Sequence, residues 1–202
     1  EQMETDDIRE GARNKVYVVD VKETEKGLRA LVSRTHPGLV TRMFESEVPE
    51  IFDGVVEIKA VAREAGSRTK MAVLSHDGNV DAVGACIGQR GVRVANIVEE
   101  LGGEKIDIVE YSDDPATFIG AALAPAKVLK VEMDPDGSKA CKVTVPDSQL
   151  SLAIGNKGQN ARLAVKLTGW KIDIRPESGF YGEDEPEETA DEAPAETADE
   201  TE

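Results

Sequence analysis

The first regular pattern in the chain is an alternation of apolar and polar residues at positions 15–22 (KVYVVDVK), and a second apolar run follows at 28–34 (LRALVSR). Alternation with a period of two is typical of a strand. The segment 23–27 between the runs ends in a glycine, as tight turns often do. We therefore predict a β-hairpin. Because a two-stranded hairpin is marginally stable alone, the pattern indicates the closing strands of a larger sheet.

Two helical patterns flank a short glycine-rich turn in the middle of the chain. An i, i+3, i+4, i+7 spacing predicts a helix before the turn, with a face formed by Val80, Val83, Gly84 and Ile87. The same spacing predicts a helix after the turn, with a face formed by Val94, Ile97, Val98 and Leu101. The adjacent glycines Gly102 and Gly103 predict its end, and residues 105–110 predict a strand.

The whole pattern occurs twice. The segment from Cys86 (CIGQRGVRVANIVEELGGEKIDIVE) aligns with the segment from Ala153 (AIGNKGQNARLAVKLTGWKIDIRPE). The glycine pairs match at an offset of 67 positions and the two KIDI strands at 66, which indicates a one-residue deletion. In the second copy we predict that Asp147 caps the first helix. We predict that the second helix buries the face formed by Ala161, Ala164, Val165 and Thr168.

Each copy has a helix-like stretch and two strand-like stretches upstream of its glycine turn. The predicted segments are 39–44, 55–63 and 68–75 in the first copy, and 116–123, 126–133 and 139–145 in the second. The order per module is therefore α-β-β-α-α-β, an α+β fold with a three-stranded sheet covered on one face. The predicted boundaries are 1–37 for the hairpin and linker, 38–112 and 113–176 for the two modules, and 177–202 for the tail. Because only residues 111–115 join the modules, we expect them to pack rigidly.

The glycine turns are the candidate chemistry. A helix–Gly-x-x-Gly–helix turn exposes the free N–H groups of the second helix, and these suit a phosphate. Glycine at both ends removes the Cβ atoms that would keep a nucleic-acid backbone away. We call Gly88–Gly91 loop 1 and Gly155–Gly158 loop 2; each contains one cation. One such turn is weak evidence, but two copies with an isoleucine before each loop predict nucleic-acid binding.

The candidate RNA-binding residues fall into three groups. The first group, at loop 1, is Ile87, Gly88, Gln89, Arg90, Gly91 and Arg93. The second, at loop 2, is Ile154, Gly155, Asn156, Lys157, Gly158, Gln159, Asn160 and Arg162. The third is Arg68 and Lys70 in a basic stretch that also contains Arg63; solvated turn charges and phosphate contacts remain equal alternatives for this stretch.

Charge is distributed unevenly along the chain. The net charge is −16, but residues 177–202 hold 12 acidic residues and no basic ones, which leaves 28 acidic against 24 basic residues in the rest. Without apolar periodicity, the tail is expected to be disordered. The two cysteines form no C-x-x-C pair, which favours a reducing cytoplasm over disulfides or zinc. We see no apolar run of membrane-spanning length or signal peptide. We also expect no catalytic residues, no metal and no cofactor, and therefore no enzyme.

Four stretches carry a family resemblance: Glu47–Val73, Gly84–Val94, Glu100–Ile108 and Ser151–Ile174. Together they resemble the NusA family of bacterial transcription termination and antitermination factors, over about residues 12–176. The resemblance implies two tandem prokaryotic type II KH domains, preceded by an incomplete S1 (OB-type) β-barrel remnant.

The same resemblance implies partners and a compartment. The expected ligand is single-stranded nascent RNA, held near the RNA polymerase elongation complex, with other Nus factors as further partners. The family's polymerase-binding domain and most of the S1 barrel do not occur in this sequence, so anchoring to polymerase by this chain alone is in doubt. A cytoplasmic monomer without membrane contact is expected.

Two other protein classes combine similar parts. Polynucleotide phosphorylase pairs KH with S1, but in the reverse order and with a single KH module. Ribosomal and assembly proteins with a type II KH module usually lack tandem copies and are basic. The predicted order and the acidic balance favour the NusA family over both.

Overall fold

The computed structural model describes residues 1–6 and 9–179, so the predicted disorder of the tail beyond Gly179 concerns residues outside the described part. It shows two modules with the predicted order of elements. In the first module these are α1 Pro37–Glu47, α2 Pro49–Phe52, β3 Val56–Glu64, β4 Arg68–Ser75, α3 Ala82–Ile87, α4 Val92–Glu100 and β5 Lys105–Glu110. In the second they are α5 Pro115–Ala122, β6 Lys130–Met133, β7 Ala140–Val145, α6 Leu150–Ile154, α7 Gln159–Thr168 and β8 Lys171–Pro176. A β-hairpin, β1 Tyr17–Thr24 and β2 Gly27–Ser33, precedes them.

The two sheets share one topology. The strand order is β3-β4-β5 in the first module and β6-β7-β8 in the second. The first two strands of each sheet are antiparallel, and the third lies parallel to the middle one. The third strand follows a pair of helices because a parallel strand needs a crossover connection. In both modules this crossover carries the Gly-x-x-Gly loop, so the repeat in the sequence is a repeat of the fold.

The sheet of the first module is covered on both faces, which corrects the prediction of a single covered face. One face packs on helices of its own module through Val56, Met71 and Val73. The other face carries small side chains, which form one buried cluster with the second module: Ala62, Ala72 and Val109 join Phe118, Ile119, Leu163 and Ala164. Helix α7 therefore lies against β3 and β4 of the first module. The small residues permit this close approach of a helix to the sheet.

Helix α7 buries a different face from the one predicted. Its buried residues are Asn160, Leu163, Ala164 and Leu167, whereas only Ala164 was in the predicted set. The buried face was missed because it includes the polar Asn160, which interrupts its apolar spacing. Its side-chain amide is buried because it donates hydrogen bonds to the carbonyls of Leu123 (3.1 Å) and Ala153 (2.9 Å).

Two local predictions in the second module are also wrong. Strand β6 begins at Lys130 rather than at residue 126, because Ala126 packs into the core and the Lys127 amide bonds to the Gln149 side chain (2.6 Å) instead of joining the sheet. Asp147 does not cap the helix before loop 2 with its side chain. It lies in a 3-10 turn, and its carboxylate accepts a hydrogen bond from the amide of Ser178 (3.0 Å).

The N-terminal hairpin is antiparallel and largely exposed. Every β2 side chain except Ser33 is exposed, and the structure shows no closed barrel in the part of the chain it describes. Its assignment to an S1 barrel stays a prediction. At the base of the hairpin, however, Arg34 is buried and donates to Asp6 (3.0 Å) and to the carbonyl of Glu100 (3.0 Å). Met3 is buried in the core of the first module, so residues 1–6 are part of that module's packing.

We expect the amides of β1 and β2 to exchange with solvent before those of β3, β4 and β5, because an exposed hairpin opens without breaking the core. The Arg34 amide, which donates to the carbonyl of Glu1 (2.9 Å), should stay protected. Native-state hydrogen exchange read by NMR measures both. Equal protection of the hairpin and the β3-β4-β5 sheet would contradict the expectation.

Candidate nucleic-acid interface

Loops 1 and 2 have the same backbone conformation. Their first glycines, Gly88 and Gly155, have φ/ψ of 77°/172° and 81°/172°, a region that is essentially restricted to glycine. Their third residues, Arg90 and Lys157, have φ of 54° and 50°. Left-handed backbone at a long side chain is uncommon, and such residues concentrate at functional sites. The agreement between the two copies indicates that this conformation is a built feature of the fold.

The glycines at the two ends of each loop serve different purposes. A Cβ on Gly88 would lie 2.6 Å from Cγ of Arg93, and one on Gly155 would lie 2.8 Å from Cβ of Asn160. The first glycine therefore lets the loop pack on the helix that follows it. A Cβ on Gly91 would meet nothing within 4 Å. The last glycine of loop 1 thus leaves an open approach to the main chain.

The two loop cations are available to a ligand. Arg90 and Lys157 are exposed, and no hydrogen bond or ion pair with another described residue engages either side chain. Each lies directly before the glycine that caps the next helix, Gly91 for α4 and Gly158 for α7. The helix N-terminus and the cation therefore present positive potential on the same surface, which suits a phosphodiester.

Two apolar side chains beside loop 1 are also exposed. Ile87 is 37% exposed, and Val92, which sequence analysis missed as a site residue, is 57% exposed. Val92 and Gln89 help to line a shallow groove of about 570 Å³ beside loop 1. Val92 lies outside the apolar face of α4, and an apolar residue off the buried face was the signal that could have identified it. Since Ile87 is partly exposed, its truncation should cost less than truncation of a fully buried residue.

An edge strand runs beside each helix pair. Helices α3 and α4 contact β5, and α6 and α7 contact β8. Among the described strands, β5 pairs only with β4 and β8 only with β7, so each keeps one open edge. Half-buried isoleucines lie along these strands, at Ile106 and Ile108 in β5 and at Ile172 and Ile174 in β8. Loop, helix pair and edge strand together form a surface that is polar at the loop and apolar at the strand.

Several predicted RNA contacts are engaged inside the protein. Arg93 donates to Glu50 (2.9 Å) and to the carbonyl of Ala85 (2.6 Å), and the Asn160 side chain is 1% exposed. Gln159 and Arg162 donate to the carboxylate of Glu64 in the first module, at 2.8 and 3.2 Å. Asn160 is corrected from a contact residue to a buried one. Among the predicted contact residues, Ile87, Gln89 and Asn156 are exposed to solvent, together with the two loop cations. Ile154 is half-buried.

The cations of the basic stretch at the β3–β4 turn are likewise engaged inside the protein. Lys70 is 0% exposed; its ammonium group donates to Asp107 (3.2 Å) and to the carbonyl of Ala124 (2.6 Å) in the second module. Burial lowers the pKa of Lys70 although Asp107 opposes this. Arg68 makes two hydrogen bonds to the same Asp107, at 2.7 and 3.0 Å. Arg68 thus joins β4 to β5, and Lys70 joins both strands to the second module, because burying a charge requires a partner.

The third arginine of that stretch forms a buried pair. Arg63 and Glu104 have fully buried side chains, joined by hydrogen bonds of 2.8 and 2.9 Å. Thr69 (2.6 Å) and the amide of Gly66 (2.8 Å) also donate to Glu104. Burial alone would raise the pKa of Glu104, but the hydrogen bonds from Arg63, Thr69 and Gly66 outweigh it and hold the pKa below its usual value. This cluster fixes the β3–β4 turn.

Other chemistry finds little support in the described residues. Cys86 and Cys141 are free and buried, as expected for Cys86, and burial raises the pKa of Cys86 to about 12. Within residues 1–6 and 9–179 no group of three His, Cys, Asp or Glu side chains is placed to hold a metal ion. None of the helices there combines the length and apolarity that crossing a bilayer requires.

Comparison with known families decides between the classes that the sequence left open. Residues 34–111 match the family described as "NusA-like first KH domain", and residues 115–181 match "NusA-like second KH domain". The chain belongs to the NusA family. Its fold class is thereby confirmed as α+β with two tandem KH domains, whereas the S1 assignment of the hairpin and the exact module boundaries stay predictions.

Full-length relatives agree with this assignment. Proteins named "Transcription termination/antitermination protein NusA" from Bacillus subtilis and Halalkalibacterium halodurans are 58% and 57% identical to the chain over 178 residues. These alignments cover 88% of this chain but 48% and 46% of the relatives. The protein of the same name from Mycobacterium tuberculosis strain H37Rv is 55% identical over 175 residues, covering 87% of this chain and 50% of the relative. The chain thus spans about half the length of the curated relatives it matches.

Proposed function

We propose that the chain is a non-catalytic RNA-binding part of a NusA-type factor, which holds single-stranded nascent RNA along loops 1 and 2 and edge strands β5 and β8. The observation that carries the proposal is the matched pair of loops. Both present a cation at positive φ before a helix N-terminus, and both cations are free of partners in the described structure. Single-stranded RNA is the fitting ligand because unstacked bases can reach the apolar strand beside each loop.

The packing of the two modules supports one continuous track. The buried cluster shared by the β3-β4-β5 sheet and α7 fixes the loops relative to each other. With about four nucleotides per KH module, the track would hold about eight nucleotides. The relatives are named as transcription termination/antitermination proteins, and on the family resemblance we propose the RNA polymerase elongation complex and other Nus factors as further partners. We propose that this role is carried out in the bacterial cytoplasm as modulation of pausing, termination and antitermination.

The direct test is binding of the chain to random-sequence single-stranded RNA, measured by fluorescence anisotropy over a range of salt concentrations. We expect binding that weakens with salt and exceeds binding to an RNA duplex of the same length, because the duplex hides its base edges. Equal affinity for both forms would contradict the proposed base-accessible track.

We expect Lys157→Ala to weaken binding of all single-stranded sequences alike and to lower the slope of log affinity against log salt by about 0.7, the value for one lost single-strand phosphate contact. Lys139→Ala is the matched control. Lys139 is also an exposed lysine with φ of 50°, but it lies in the turn before β7 and belongs to neither loop. The two substitutions remove the same charge from the same backbone conformation. An equal effect of both would show that position in the loop is irrelevant.

A further inference from the structure

Loop 2 is held in place by the other module. Glu64 lies at the end of β3 in the first module, and its side chain is one-quarter exposed. Its carboxylate accepts hydrogen bonds from Nε2 of Gln159 (2.8 Å) and Nε of Arg162 (3.2 Å), both in the first turn of α7. Gln159 also donates to the hydroxyl of Ser67 in the β3–β4 turn (2.7 Å). The residues directly after loop 2 are thus hydrogen-bonded to the β3–β4 turn of the first module.

Arg162 extends this connection into the loop itself. Its Nη1 group donates to the carbonyl of Lys157, the residue at positive φ that carries the loop cation. A guanidinium is planar and has donors on several edges, so one side chain can bridge two acceptors in a fixed geometry. The route from Glu64 through Arg162 to the Lys157 carbonyl therefore consists of directed hydrogen bonds at each step.

Loop 1 is supported differently. The arginine beside it, Arg93, bonds to Glu50 and to the carbonyl of Ala85, both within the first module. At the position that corresponds to Gln159, the first module has the exposed and apolar Val92. Loop 1 is thus self-supported, whereas the support of loop 2 crosses the boundary between the modules.

We propose that Glu64 is a positioning residue for the RNA-binding loop of the second module, acting through Arg162 and Gln159. The inference rests on the proposed function, because it assumes that loop 2 contacts RNA. Two effects of Glu64 oppose each other. Its negative charge repels phosphate, but that charge is already paired with Arg162. The ordering of Lys157 therefore determines whether RNA affinity falls or rises when Glu64 is removed. Removing Glu64 therefore weakens RNA binding, although it removes an acidic group from the vicinity of the site.

The test compares Glu64→Ala, Glu64→Gln, Arg162→Ala and the double variant Glu64→Ala/Arg162→Ala by RNA affinity. We expect Glu64→Ala to bind RNA about tenfold more weakly, because a loop that is no longer preorganised must be ordered on binding. The combined loss in the double variant should be smaller than the product of the two single losses, since the Arg162 contact is shared and only the Gln159 contact is lost in addition. Glu64→Gln should keep most of the affinity because its amide oxygen still accepts from Arg162.

Glu132→Ala is the matched control, because it removes the same charge from an exposed ion pair with Lys130 on β6 of the second module. It should leave affinity unchanged or slightly raised. A readout without RNA is the amide NMR signals of Gly155 and Gly158, which should shift in Glu64→Ala and stay in place in Glu132→Ala. Higher RNA affinity of Glu64→Ala, or unmoved loop 2 signals, would overturn the proposal.

The outcomes separate this inference from the proposed function. If Lys157→Ala weakens RNA binding and Glu64→Ala does not, only the positioning role is wrong. If neither Lys157→Ala nor Arg90→Ala changes RNA binding, the proposed function of the loops is wrong as well. Should Glu64→Ala fail to fold, Arg162→Ala tests the same route through the amide signals of Gly155 and Gly158, since its half-exposed side chain is not needed by the core.

Discussion

Replacing Gln89–Arg90 and Asn156–Lys157 with Asp–Asp in both loops is expected to weaken single-stranded RNA binding by about 100-fold or more, which corresponds to about 2.8 kcal/mol. Two carboxylates in each loop repel the phosphate that the loop amides would otherwise hold. The fold should survive. Asp tolerates the left-handed conformation of Arg90 and Lys157 better than most residues do, and acidic groups are favourable near a helix N-terminus. Anisotropy and denaturant unfolding measure the two effects.

The control for this variant places Asn instead of Asp at positions 89, 90 and 157, while Asn156 is already the native residue. Asn has the same shape and the same tolerance of positive φ, so it removes the cations without adding negative charge. We expect an intermediate loss of affinity. A folded Asp–Asp variant with wild-type affinity would mean that the Gly-x-x-Gly loops are only turns.

The largest effect on stability is expected for Glu104→Ala. This substitution leaves the buried Arg63 guanidinium, the Thr69 hydroxyl and the Gly66 amide without their shared acceptor. Removing one partner of a buried ion pair typically costs about 3–5 kcal/mol, because the remaining charge is buried without compensation. Urea unfolding followed by circular dichroism measures the loss of unfolding free energy. Glu57→Ala, which removes a half-exposed carboxylate paired with Lys59 and His76, is the control and should cost much less unfolding free energy than Glu104→Ala.

The same residue predicts a dependence on pH. The pKa of Glu104 is lowered in the folded state, so its contribution to stability is fully present above the unfolded pKa of about 4.3. As the pH falls below that value, the unfolded state takes up the proton first and the contribution is lost. The wild type should therefore lose stability between pH 5 and more acidic conditions faster than Glu104→Ala. Parallel loss in both proteins would contradict the role of this carboxylate.

Most of the fold could be predicted from the sequence because the chain contains two copies of the same module. The second copy resolved ambiguities that one copy leaves open, such as the helix–loop–helix unit before the KIDI strand. What the sequence pattern could not show was the relation between the modules. In the structure Ala60, Ala62 and Ala72 line the contact with α7. Alanine occurs on exposed and buried faces alike, so these residues do not predict a buried face as Leu or Ile would.

The candidate site was predicted in part. The loops and their cations lie where the motif placed them, because a Gly-x-x-Gly turn fixes its own backbone. The roles of the charged residues around the loops could not be predicted from the motif, since they depend on partners that are distant in sequence. Lys70 reaches a carbonyl 54 positions away, and Arg162 reaches a carboxylate 98 positions away. At these positions charge alone therefore did not reveal that the side chain already has a partner inside the protein.

The two sheets differ in the polarity of the face that points away from the helices of their own module. The face of the β3-β4-β5 sheet that points to the second module carries Ala62, Ala72 and Val109 and packs against α7. The corresponding face of the β6-β7-β8 sheet carries exposed charged groups instead: Lys130, Glu132, Lys142, Lys171, Asp173 and Arg175. Stacking one module on the sheet of the previous one is a rule that could generate an array of any length, as in repeat proteins whose outer units have polar faces. The charged sheet of the second module therefore lacks the small apolar side chains on which α7 packs in the first module.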